Sequence, residues 1–220
     1  MPHQPGRRRQ HDVPARHGGQ VAAEGEDDRV GNLGPVFPVG GVEVMLLGAV
    51  ASGVLCAALA WALRGRLGVV TAVAIAGLLW SLVVVGLLTL LPANGAPGWV
   101  LAEDRLDTCS WDIGGPAPDG FWIFSGGQRL LNAAIFAPSG ALLVVAAARW
   151  RSAWVTVPAG LVLLAAYSVA IETTQLTLAR LDRACDVTDI IDNSAGAAIG
   201  VGVGIVAAMV LRPWRGRPTS

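Results

Sequence analysis

The sequence predicts an all-α protein, a polytopic transmembrane helix bundle of about five spans, behind a disordered N-terminal tail. Three observations lead there. Of 220 residues, 53% are hydrophobic and only 15% charged, with a mean hydropathy of +0.55, a balance typical of integral membrane proteins. Apolar stretches of about 20 residues, each long enough to cross a bilayer, recur along the chain. The charges gather between those stretches instead of along amphipathic faces.

Residues 1–41 are rich in Gly, Pro, Arg and acids and hold all three histidines, His3, His11 and His17. Such a segment buries too little apolar surface to offset its ordering entropy, so a disordered tail is expected. Arg7, Arg8 and Arg9 look like the start of a signal peptide, but no apolar core follows them. A true start near Met45 is the alternative, and N-terminal sequencing separates the two.

Residues 42–91 read as two helices. Val44 to Leu63 forms the first span, with Ser52 its only hydroxyl side chain; Arg64-Gly65-Arg66 interrupts, and Leu67 to Leu91 follows. Residues 92–129 are a polar connection, expected on the extracytoplasmic side, carrying Glu103, Asp104, Asp107, Asp112 and Asp119. Its Trp99, Trp111 and Trp122 suit a membrane interface, although an ordinary surface loop fits the same composition. Residues 130–211 hold three spans: Leu130 to Ala148, Trp154 to about Leu178, and about Ile190 to Leu211. Pro138 is expected to kink the third, because proline removes an amide donor. Residues 212–220 form a short tail.

Arginine placement sets the expected orientation in a plasma membrane. All 16 basic residues are arginines. Arg64, Arg66, Arg149, Arg151, Arg212, Arg215 and Arg217 fall on one side, which should be the cytoplasm and should hold the C-terminus. Trp61, Trp150, Trp154 and Trp214 fit an aromatic belt there. Arg105, Arg129, Arg180 and Arg183 fall on the other side, outnumbered by acids. Scattered in this way, the arginines offer no basic face for nucleic acid. The bilayer is the first partner. Cys109 and Cys185 come to lie on the oxidising side, where either a disulfide between them or two free thiols is compatible with the sequence. Cys56 reads as a small buried residue in mid-span.

Polar side chains within apolar runs are costly, and they mark the candidate site. Glu172 and Gln175 share a face at i, i+3 near the end of the fourth span. Asp189, Asn193, Gly196, Gly200 and Gly204 share another, the glycines making a ridge for close helix packing. Asn132 enters from the same side. The simplest assembly is one polar cluster of Asn132, Glu172, Gln175, Asp189 and Asn193, roofed by Arg180, Arg183 and Asp186.

Mutually satisfied polar groups that fix helix register account for such a cluster as readily as a ligand does. The crowding of Glu172, Asp182, Asp186, Asp189 and Asp192 argues for more. Without a histidine in any span, neither a Ser-His-Asp arrangement nor a histidine zinc site can be built there. No metal and no cofactor is expected. Glu172 and Asp189 are the candidates for acid–base work, and the arginines could grip a phosphate.

These residues resemble the VanZ-like family of bacterial membrane proteins over about Leu130 to Leu211. The matching motifs are Asn132-x-x-x-Phe136-x-Pro138-x-Gly140, Glu172-x-x-Gln175 and Arg183-x-x-Asp186-x-x-Asp189-x-x-x-Asn193-x-x-Gly196-x-x-x-Gly200. Gln128 stands where the family often has an acid, and either Arg180 or Arg183 could fill its arginine position. The connection with Cys109 lies outside these motifs. The resemblance implies a small polytopic protein of the cell envelope; the family's named member is associated with low-level teicoplanin resistance. The expected function is recognition of an amphiphile, a glycopeptide antibiotic or a lipid-linked cell-wall intermediate at an outward-facing polar site. The alternatives are an enzyme acting on a lipid-linked phosphate, or a proton-coupled transporter.

Overall fold

A computed structural model describes residues 41–91, 108–111, 127–177 and 185–216. It contains five helices: α1 (Val42–Leu67), α2 (Val69–Leu90), α3 (Gly127–Ala147), α4 (Ala153–Thr177) and α5 (Val187–Leu211), with a 3-10 turn at Pro213–Gly216. All five are long and apolar enough to cross a membrane, the architecture of a multi-pass membrane protein. Helices suit that solvent because each satisfies its own backbone polar groups. Among the described residues there is no strand, only an isolated parallel bridge between Ser110 and Asp186. The expected tail lies outside the described residues.

The first boundary departs from the sequence reading. α1 continues through Arg64-Gly65-Arg66 to Leu67, and the chain reverses at Gly68, where φ is +76°. Charge ends a membrane-crossing stretch without ending a helix, since arginine is a good helix former. The reversal needs a left-handed backbone, which glycine adopts at little cost. Arg149 Nη1 donates to the Leu67 carbonyl at 2.8 Å, satisfying an acceptor left open at the end of α1. Likewise α3 starts at Gly127, ahead of the expected Leu130, with Pro138 inside the helix. α5 starts at Val187 because Asp186 caps it, its Oδ1 accepting from the Thr188 amide at 2.8 Å.

Packing centres on α3 and α5, which make the most extensive helix–helix contact. Gly196, Gly200 and Gly204 of α5 lie against the backbone of Ala133, Ala137 and Ala141 of α3, so close that a Cβ on any of them would strike a carbonyl oxygen. Gly140 meets the Ala197 carbonyl in the same way. Residue numbers rise together on both helices, so α3 and α5 are parallel. Two small-residue ridges thus mesh, the arrangement by which transmembrane helices gain packing without a hydrophobic driving force.

α2 and α4 run antiparallel to this pair and close the core. Val85, Phe136, Leu143, Leu164, Ile171 and Ala197, drawn from α2 to α5, form its centre. Between α2 and α3, Ser81 and Ser139 share a hydrogen bond of 2.9 Å at mid-depth. Tyr167 on α4 donates to the Leu82 carbonyl at 2.9 Å. α1 packs chiefly on α2 and buries Met45 alone. Its exposed Leu46, Leu47, Val50, Val54 and Leu55 suit a helix in lipid.

Candidate functional site

Alternation of helix direction brings the start of α1, the end of α2, the start of α3, the end of α4 and the start of α5 to one end of the bundle. Every described carboxylate, Glu43, Glu172, Asp186, Asp189 and Asp192, belongs to that end. Arg64, Arg66, Arg149, Arg151, Arg212 and Arg215 belong to the other.

At the acidic end the most deeply placed charge is Asp192, one turn into α5 and 0% exposed. Arg129, in the first turn of α3, meets it with two hydrogen bonds, Nε to Oδ2 at 2.8 Å and Nη2 to Oδ1 at 2.9 Å. This fork-to-carboxylate geometry is the strong form of ion pair. Because each charge is removed from water, either one alone would be costly. The pair also fixes how far α3 can slide along α5.

Around it lie the amides and carboxylates that the sequence singled out. Glu172, 3% exposed, accepts from the Asp186 amide through Oε2 at 3.2 Å. Its helix neighbour Gln175 donates from Nε2 to the Thr89 carbonyl at 2.9 Å, taking up one of the acceptors that the end of α2 leaves open. Asn193 donates from Nδ2 to Ser168 Oγ at 2.9 Å. Asp189 is half-buried in the first turn of α5, and its amide donates to the Asp186 carbonyl at 3.1 Å. Asn132 is half-buried on α3.

Two amide atoms in this layer have no hydrogen-bond partner among the described residues, Asn132 Nδ2 and Asn193 Oδ1. Buried polar atoms left in that condition are rare enough to need an explanation. No three His, Cys, Asp or Glu side chains gather as metal ligands among the described residues.

A short strap crosses this end. Cys109 and Cys185 are joined by a disulfide across 76 residues of sequence. Beside it the Ser110 amide donates to the Cys185 carbonyl at 2.9 Å, and the Val187 amide to the Ser110 carbonyl at 3.1 Å. The bridge therefore holds residues 109–110 against the residue that caps α5 and that also touches Glu172.

Glu172, Gln175, Asp186, Asp189, Asn193 and Asn132 are thus gathered at one end, while Arg180 and Arg183 lie outside the described residues. The sequence does not single out Arg129, Ser168 or Thr89, and it offers Asp192 only as one of several acids. A carboxylate one turn inside an apolar run demands a cation, but nothing in the sequence selects Arg129 from Arg105, Arg180 and Arg183.

A family model described as VanZ/LLP1 matches residues 78–209, more than half of the chain. The match takes in the C-terminal half of α2 and the connection carrying Cys109, both beyond the motifs from Leu130 onward. Its extension to α2 has a physical counterpart in Ser81, Leu82 and Thr89, which bond to α3 and α4. No curated protein and no solved structure matches the chain.

Proposed function

This chain belongs to the VanZ/LLP1 family, and from that premise we propose that it is a bacterial plasma-membrane protein whose acidic end faces outward. There it recognises an amphiphile without turning it over: a lipid-linked cell-wall intermediate or a glycopeptide such as teicoplanin. The observation that carries this reading is the layer of buried polar side chains at one end of an otherwise apolar bundle, two of whose amide atoms have no partner among the described residues. Polar groups at membrane depth are retained mainly where they do work.

Orientation draws support from two sources. Arginines collect at the opposite end, as cytoplasmic ends of membrane proteins do. The disulfide sits at the acidic end, and disulfides persist in oxidising compartments. Recognition is favoured over catalysis because the charged groups are engaged in holding the helices. Asp192 is neutralised by Arg129, and Glu172 bonds the backbone at the head of α5.

The test is a deletion strain, assayed for teicoplanin susceptibility and for its pool of lipid-linked envelope intermediates. A change in either, restored by the intact gene, is expected; no change in both contradicts the reading. Complementation by Glu172→Gln, which keeps shape and removes charge, is expected to succeed. If that variant is abundant yet inactive, general-base chemistry at Glu172 replaces recognition as the better account.

A further inference from the structure

We propose that Asn132 and Asn193 form an uncharged hydrogen-bonding subsite that takes the sugar hydroxyls of a glycosylated amphiphile. The proposal rests on the recognition reading above and names the chemical class recognised.

Register places the two amides at one depth. Arg129 and Asp192 are 63 residues apart and pair directly, and Ala133 and Gly196, in contact, have the same separation. Asn132 is therefore level with residue 195 of α5, about 3 Å along the axis from Asn193. It also lies on the α3 stripe that continues through Phe136, Ser139 and Leu143, all buried. Asn193 reaches inward as well, since its amide bonds Ser168 of α4. Asn132 Nδ2 and Asn193 Oδ1 are thus both buried at that depth, about a turn beneath the acidic end.

The donor set selects the ligand. Asn132 Nδ2 offers a hydrogen and Asn193 Oδ1 asks for one. Reversing the Asn193 amide would make Nδ2 the unpaired atom, a donor that the oxygen of a hydroxyl also meets, so that only the two carboxylates nearby would then count against an anion. A hydroxyl both accepts and donates, and the vicinal hydroxyls of one sugar ring can meet two amides at once. A fully ionised phosphate has no hydrogen for Oδ1, and any phosphate would lie near Asp192 and Glu172 while Arg129 is bound to Asp192. An ammonium has no acceptor for Nδ2. A neutral, hydroxylated head group is left, its acyl chains remaining in the bilayer. An unpaired buried amide weakens the fold, so its presence fits a group kept for binding instead of for stability.

The experiment uses the full chain, purified in an amine-oxide detergent that carries no sugar. Retention of three lipids with the same acyl chains is measured by native mass spectrometry: monoglucosyl diacylglycerol, diacylglycerol and phosphatidic acid. Wild type is expected to retain the glucosyl lipid at least about tenfold over the others, a difference of about 1.4 kcal/mol. Asn132→Leu is expected to abolish that preference while the unfolding temperature stays level or rises. The double variant Asn193→Leu/Ser168→Ala, which removes both ends of one hydrogen bond, is expected to lose it too.

Preference surviving in both variants overturns the subsite, assigns the unpaired atoms to water and leaves amphiphile recognition standing. Loss of preference together with a lower unfolding temperature in Asn132→Leu overturns it in favour of a structural role. Preference of wild type for phosphatidic acid overturns it in favour of anion recognition. Retention of none of the three overturns amphiphile recognition itself.

Discussion

Replacing Arg129 with methionine keeps the aliphatic stem and removes both hydrogen bonds to Asp192. Asp192 has no exposure through which water could replace them. Breaking a buried ion pair by removing one partner costs about 3–5 kcal/mol, because the remaining charge stays desolvated. Replacing both partners with apolar groups of similar volume is far milder, so Arg129→Met/Asp192→Leu should recover most of the loss. Reversible unfolding in mixed micelles, followed by helix content and by a proximity probe between α3 and α5, measures each variant. The reasoning fails if Arg129→Met lies within about 0.5 kcal/mol of wild type, the range of an ordinary surface change. It fails equally if the double variant is no more stable than the single one.

The meshed ridges predict a sharp positional contrast. Gly200→Ala puts a methyl group against the Ala137 backbone and should cost about 1–3 kcal/mol or more, whereas Gly202→Ala meets nothing within 4 Å and should be close to neutral in the same unfolding assay. Gln175→Leu leaves the Thr89 carbonyl without its side-chain donor and should cost about 1–3 kcal/mol, read by thermal unfolding. Cys109→Ser removes a cross-link spanning 76 residues. It should lower stability by about 2–4 kcal/mol, and reductant should lower wild type to the same level while leaving the variant unchanged.

Much of the fold is legible because membrane spans are written in length and apolarity, which need no knowledge of neighbours. Helix ends are written in backbone conformation instead. For that reason Arg64-Gly65-Arg66 looks like a break while the chain actually reverses at Gly68. The glycine ridge on α5 is readable from its four-residue spacing. Its counterpart of Ala133, Ala137 and Ala141 is not, because alanine is at home on any helix face.

The polar residues of the site divide in the same way. Glu172, Gln175, Asn132 and Asn193 stand out because such side chains are rare inside apolar runs. Arg129 is inconspicuous, since an arginine at the mouth of a span usually serves only to reach the interface. Its pairing with Asp192 is decided by the parallel register of α3 and α5, a relation between segments far apart in sequence. Cys109 and Cys185 posed the same difficulty. Shared sidedness permits a bridge, but the pairing of residues 109–110 with residues 185–187 is a relation between distant segments that the sequence does not display.

The proposal that the acidic end is the outward-facing end is tested most directly by thiol labelling in intact cells. Cys56→Ser removes the remaining described free thiol, and an impermeant phosphine then opens the Cys109–Cys185 bridge. An impermeant maleimide added from outside should label residue 185 after reduction and not before. Labelling of residue 185 only once the cells are opened would place the acidic end in the cytoplasm and contradict outward-facing recognition altogether.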